Sequence, residues 1–169
     1  PEENLTTLGG SGVFTKELEA ALFDHRASAA VHSLKDLPVD LPSGLVLGAI
    51  LPRGAAGDVL VSRRPGGSAG LPAGARIGTG SPRRAGMMRA LRRDTEVVPI
   101  RGNVPTRIGR VAEGKFDAVI LAAAGLERLG FSADGPFLIG PLMLHAFPLT
   151  SFLPAPGQGA IVVEVREED

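Results

Sequence analysis

The chain has 169 residues, 44% of them hydrophobic, and its 18 basic and 18 acidic side chains give a formal net charge of zero; this is enough apolar material for one good-sized domain or two small ones. With no cysteine and three scattered histidines, His25, His32 and His145, a disulfide framework, a thiol nucleophile and a thiolate metal site are excluded, and no metal is expected. The balanced charge argues against a general nucleic-acid or membrane-surface binder, and the lack of an apolar run of membrane-spanning length makes the cytoplasm the default location.

Both ends, PEEN at residues 1–4 and REED at 166–169, look cut, so the chain is expected to be a fragment. Residues 5–14, LTTLGGSGVF, have no period and read as a mobile loop, without the lysine followed by Ser or Thr that a phosphate loop needs. A helix is expected from Thr15, with Thr15 as N-cap and Leu18, Ala21 and Leu22 as the apolar stripe. SAAVH then reads as a buried strand, and the prolines of SLKDLPVDLPSG exclude regular structure after it. Lys35 and Asp36 therefore lie just past a strand's carboxyl end, where ligands bind in open α/β sheets; a surface Lys–Asp pair in a turn is an equal reading.

LVLGAI at 45–50 is a further strand, followed by a linker near 51–57. Beyond it, DVLVS and ARIGT read as strands, and Ser81 and Pro82 open a helix running to about Arg93. EVVPI is a strand at an edge or ending at Pro99, and a helix is expected near Pro105 to Glu113. DAVILA is the clearest buried strand, AAAGLERLG a short helix closed by Gly130, and residues 131–150 read as irregular. LPAPGQG makes a turn and AIVVEV the last strand. This alternation predicts an α/β fold with parallel sheets. Linkers near 51–57 and 146–157 suggest two lobes, residues 1–51 with 152–169 and residues 52–151, with a cleft between them.

Residues 78–110 carry eight arginines against one aspartate and one glutamate. Arg89, Arg92 and Arg93 follow helical spacing and read as a solvated face. Arg83, Arg84, Arg101 and Arg107 sit at turns or strand-to-helix junctions, where guanidinium forks and free backbone N–H groups can converge on a small polyanion. An aspartate among such cations should stay ionised, so Asp36 could stabilise positive charge developing on a bound ring or amine while the arginines hold carboxylates. His32 reads as a structural strand-end histidine, and no G-x-S-x-G elbow supports a hydrolase.

The motifs HSLKDLP at 32–38, GTGSPRR at 78–84, RGNVPTR at 101–107, ILAAAGLERLG at 120–130 and LPAPGQGA at 153–160 together resemble the hydroxymethylbilane synthase (porphobilinogen deaminase) family. The likeness covers nearly the whole chain, weakening at 63–70 and 131–150. It implies two periplasmic-binding-protein-like α/β lobes with crossing hinge segments and a third, α+β domain absent from this chain. It further implies a monomeric cytoplasmic transferase that joins porphobilinogen units into a linear tetrapyrrole with release of ammonia, using a covalent dipyrromethane cofactor.

By the same resemblance Asp36 is the catalytic residue, Lys35, Thr79, Ser81, Arg83, Arg84, Arg101, Gly102 and Arg107 bind the cofactor, and Arg128 and Phe14 bind substrate. Phe14 with the glycine loop before it resembles a lid, and reads equally as a core residue. The chain departs from the family in lacking the attachment cysteine and the first strand and helix of the first domain. Thr7 and Ser11 stand where many members have lysines, and Pro82 replaces a common leucine. The resemblance implies that this chain alone is inactive. Two competitors are a two-lobed binding module for a polycarboxylate and a nucleotide or RNA binder, the latter disfavoured because no aromatic lies within 78–110.

Overall fold

The computed structural model describes residues 13–131, 137–139 and 141–169; residues 5–12 of the expected glycine-rich loop, with Thr7 and Ser11, lie outside the described residues. The chain divides into two compact units, Pro1–Arg53 with Pro156–Asp169, and Gly54–Ala155.

In the first unit, α1 (Val13–Phe23), β1 (Ala30–Ser33) and β2 (Leu45–Ile50) are joined by the chain's last strand, β9 (Ile161–Arg166). β9 lies between β1 and β2 and is antiparallel to both, whereas the sequence predicts parallel pairing. Alternation along β1 puts Ala30 and His32 inside and Val31 outside, and Leu22 of α1 closes the small core with Ala30 and Leu45. The register of β2 on β9 shifts between Leu47 and Ala49. Gly48 occupies the shift, where a Cβ would stand 2.9 Å from Val165 Cγ2; the bulge therefore needs glycine.

Helix α1 begins at Val13, so Thr15 lies inside it and is buried rather than capping. No proline or glycine stands between Val13 and Thr15 to stop the helix at the expected cap. Its inward residues are Thr15, Glu19 and Leu22, while Leu18 is exposed. That corrects the stripe read from apolarity alone: an acidic residue takes the inward position one turn before Leu22.

The second unit contains β3 (Asp58–Ser62), β4 (Arg76–Gly78), α2 (Pro82–Leu91), β5 (Glu96–Val98), α3 (Val104–Ala112), β6 (Ala118–Ala122), α4 (Ala123–Glu127), β7 (Phe137–Ile139) and β8 (Leu142–Ala146). Among the described residues the sheet order is β5-β4-β6-β3-β8-β7. Only β5, β4 and β6 are parallel; β3, β8 and β7 pair antiparallel. The parallel expectation thus holds where helical crossovers α2 and α3 join the strands and fails elsewhere. β7 and β8 also replace the irregular segment expected at 131–150. The inward-outward alternation of Leu142, Met143, Leu144 and His145 carried the strand signal that the neighbouring prolines and glycines obscured.

This sheet is packed on both faces. Val59, Val61, Val119, Leu121, Leu142 and Leu144 face Ile108 and Val111 of α3. Leu60, Ile77, Ala118 and Ile120 face Met88 of α2 and the stacked pair Phe147 and Phe152, whose ring centroids are 4.1 Å apart. With α2 and α3 on opposite faces, the order β5-β4-β6 reverses at β4, and a crevice outside the carboxyl ends of these strands is the favoured ligand position in such sheets.

Candidate functional site

In the second unit, the carboxyl end of β4 runs through Thr79 into α2, and that of β5 runs through Arg101 and Gly102 into α3. Because these strands are parallel, both helix N-termini begin at the same end of the sheet and offer unpaired N–H groups there. Ser81 is the N-cap of α2, its Oγ accepting from the Arg84 N–H at 3.4 Å, and Pro82 starts the helix. Thr79, buried, accepts the Ser81 N–H at 3.1 Å. Asn103 caps α3 by accepting from the Thr106 N–H at 3.0 Å. Gly102 has φ +107°, and a Cβ there would lie 2.9 Å from Thr106 Cγ2, so this turn requires glycine. Its carbonyl accepts from Arg107 Nε at 2.7 Å.

The paired arginines are anchored by a residue that the sequence reading missed. β3 runs antiparallel to β6, which puts Asp58 opposite Ala122 at this same end. The buried Asp58 carboxylate meets Arg84 Nη2 at 2.7 Å and Nε at 2.9 Å, and Arg83 Nη2 at 2.8 Å. Arg84 also donates to the Ile120 carbonyl at 3.2 Å, and Arg83 Nη1 to the Leu153 carbonyl at 2.5 Å. One signal was available: DVLVS opens with a lone acid on an otherwise apolar buried strand, and such an acid needs a cation.

Two guanidinium groups, those of Arg83 and Arg84, therefore share this one carboxylate. Arg107 is half-buried, and burial, followed by the charges of Arg84 and Arg110, holds its pKa below the ordinary arginine value. This is a surplus of positive charge that a bound anion would relieve. Arg101 is exposed, and Arg128, also exposed, is the C-cap of α4. Arg89 and Arg93 are exposed as expected of a solvated face, but Arg92 is not part of it. Its guanidinium donates to the Leu71 carbonyl at 3.0 Å, to the Ser68 carbonyl and to Asp94 at 2.7 Å, pinning the loop before β4.

In the first unit, Lys35 and Asp36 belong to a single 3₁₀ turn, Leu34–Asp36, directly after β1, a turn the prolines were expected to exclude. Lys35 is half-buried and Asp36 exposed. The turn is held from behind: the Leu34 N–H donates to the Ala160 carbonyl at 3.1 Å, and Gly157, at φ +69°, lies so close that a Cβ would meet Leu34 Cγ at 2.8 Å. The PGQG segment therefore sets the position of Asp36. His32 has the structural role expected of it, its Nε2 standing 3.0 Å from Glu164 Oε2 in a buried pair. Phe14 falls in the first turn of α1; its side chain lies outside the described residues.

The structure brings Thr79, Ser81, Arg83, Arg84, Arg101, Gly102 and Arg107 to one end of the second unit's sheet, and Lys35 and Asp36 to one turn of the first. Among the described residues no group of His, Cys, Asp and Glu is placed to hold a metal ion, and no helix is long and apolar enough to cross a membrane.

Comparison with known proteins gives a family model described as porphobilinogen deaminase, dipyromethane cofactor binding domain, matching residues 1–169. Porphobilinogen deaminase of Nitratidesulfovibrio vulgaris (strain Miyazaki F) is 48% identical over 97% of the chain, which covers 49% of that protein. The Brevibacillus brevis porphobilinogen deaminase is 46% identical over 98% of the chain, covering 51% of the relative. The chain thus spans about half the length of these relatives. Among solved structures, full-length BenM E226K mutant superposes with a TM-score of 0.52 at 13% identity, over 92% of this chain and 50% of that one, a likeness of fold alone.

Proposed function

The chain belongs to the porphobilinogen deaminase family, and from that premise we propose that the intact protein is a transferase that joins porphobilinogen units into hydroxymethylbilane, releasing ammonia. The observation that carries this is the arginine-rich end of the second sheet, where Arg83 and Arg84 share one buried acid and two helix N-termini, Arg101 and Arg107 lie at the same end. Porphobilinogen and its oligomers bear acetate and propionate groups on every ring, and a site with surplus guanidinium charge suits them.

The dipyrromethane cofactor that the family model names fits the same chemistry, since Arg107 is half-buried and the neighbouring charges are those of Arg84 and Arg110, burial first and those charges second holding its pKa down. When bound, that group supplies the pyrrole carbon to which the first unit is joined. In this reading Arg101 and Arg107, with Lys35, hold its carboxylates, and Thr79 and Ser81 shape the α2 N-terminus that receives them. Arg83 and Arg84 keep Asp58 neutralised and lend their remaining field to the ligand. Arg128 and Phe14 serve incoming substrate. The chain has no cysteine, so the covalent attachment point lies outside it.

Asp36 is assigned the catalytic role. Its exposed carboxylate, fixed by the turn after β1, accepts pyrrole N–H donors and stabilises the positive charge that forms on the methylene carbon as the amine leaves. The protein is assigned to the cytoplasm as a monomer, with small-molecule partners only, in keeping with its balanced charge. Asp36→Asn in the full-length protein tests the reading. Hydroxymethylbilane formation should fall at least about a hundredfold, the scale of losing one charge-stabilising group, while porphobilinogen still binds. Unchanged turnover would remove Asp36 from the chemistry, and binding without turnover in the wild type would leave a binding module.

A further inference from the structure

Between α1 and the residues after β1 the first unit holds a cavity of about 430 Å³. Its wall carries the carboxylates of Glu19, Asp36 and Asp40 against one ammonium, that of Lys16, with Leu37 and Pro38 as apolar surface. Glu19 sets this cavity apart from an ordinary acidic surface. It is only 9% exposed, it lines the cavity, and among the described residues it makes no hydrogen bond or ion pair. It also faces the buried Glu164, whose pKa its charge helps to raise.

A largely buried carboxylate that opens only into this cavity, has no donor among the described residues and has an acidic neighbour favours a cation beside it. Lys16 is exposed and does not bridge to it. A chelated metal is the wrong occupant, because among the described residues no group of three or more His, Cys, Asp or Glu side chains is placed to hold one. Carboxylates spread around an open wall suit a small cation with several N–H donors, one for each acceptor.

We propose that this cavity binds small primary ammonium groups, with Glu19 and Asp40 as acceptors, and that it takes up the ammonium released beside Asp36. The second half rests on the proposed transferase activity, and the first half does not. In that activity the C–N bond of the protonated aminomethyl group breaks, nitrogen leaves with the electron pair as ammonia, and positive charge stays on the methylene carbon. Ammonia then takes up one proton, which balances the proton that the coupling pyrrole loses. The resulting ammonium ion forms beside Asp36, which lines the same cavity, and moving it toward Glu19 and Asp40 keeps it from competing for Asp36.

The test uses the full-length protein and methylammonium chloride at constant ionic strength, with tetramethylammonium chloride, which has no N–H, in parallel. Methylammonium should raise the denaturation midpoint saturably and tetramethylammonium should not. Glu19→Gln and Asp40→Asn should each weaken that binding at least about tenfold, the scale of one lost charge-assisted hydrogen bond. Asp40 is exposed, so its variant keeps the test decisive if Glu19→Gln fails to fold. Equal shifts from the two salts, or full affinity in Asp40→Asn, would overturn the pocket. Methylammonium should also inhibit hydroxymethylbilane formation by the wild type and do so less in Asp40→Asn; absence of inhibition overturns the uptake role. A protein that binds methylammonium through Asp40 yet makes no hydroxymethylbilane keeps the pocket and sinks the transferase reading, so the two failures are separable.

Discussion

Asp58 holds two guanidinium groups on a single carboxylate with no side-chain exposure, and its removal takes away the acid that balances the charge of Arg84, which is 6% exposed. Asp58→Ala should therefore cost about 3–5 kcal/mol, the range for stripping one partner from a buried pair, read as a lower urea midpoint of the full-length protein. Arg101→Gln is the contrasting change, because Arg101 is exposed. It should move stability by no more than about 0.5 kcal/mol while raising the KM for porphobilinogen. If Asp58→Ala were as mild as Arg101→Gln, the pair would not be what orders the arginines. The arginines were legible in the sequence because their turn and capping signals lie within a few residues. Asp58 was not, since its partners are more than twenty residues away and only the pairing of β3 with β6 brings them together.

At the scale of elements, the cap of α2 and the strands β2, β3 and β6 follow from local chemistry, and the sequence showed them. What it did not show depends on neighbours. The inward face of α1 runs through Thr15, Glu19 and Leu22 because a buried polar cluster, not oil alone, lies beneath the helix: Glu19 faces Glu164 of β9, which pairs with His32 of β1. Burial, aided by Glu19 and opposed by His32, raises the Glu164 pKa above its ordinary value. A carboxyl that binds its proton more tightly when folded contributes stability below its ordinary value of about 4.3 and loses it as pH rises through the raised folded value. Glu164→Gln has no proton to lose. Its stability relative to the wild type should therefore improve as pH climbs from the acid side toward neutrality, in urea titrations at a series of pH values. A difference independent of pH would mean that Glu164 titrates as it does in the unfolded chain.

At the scale of the whole molecule the two units differ in how their sheets are covered. The six-stranded sheet of the second unit has buried clusters on both faces. Among the described residues, the three-stranded sheet of the first is packed by the small cluster Leu22, Ala30 and Leu45, with Val162 of β9 also buried, and it leaves Val31 and Ile50 more than half exposed. The sequence could rank neither, because Val31 and Ile50 look as apolar as Val59 and Val61 and burial is decided by what the fold sets against them. Local opening follows the apolar area that must be exposed. In hydrogen exchange of the 169-residue chain, amides of β3 and β6 should be protected at least about a hundredfold more than those of β1, β2 and β9, a gap of about 2.8 kcal/mol at about 1.4 kcal/mol per tenfold. Equal protection across both sheets would mean that the first unit opens only with the second, and the small core of Leu22, Ala30 and Leu45 would not then be what limits it.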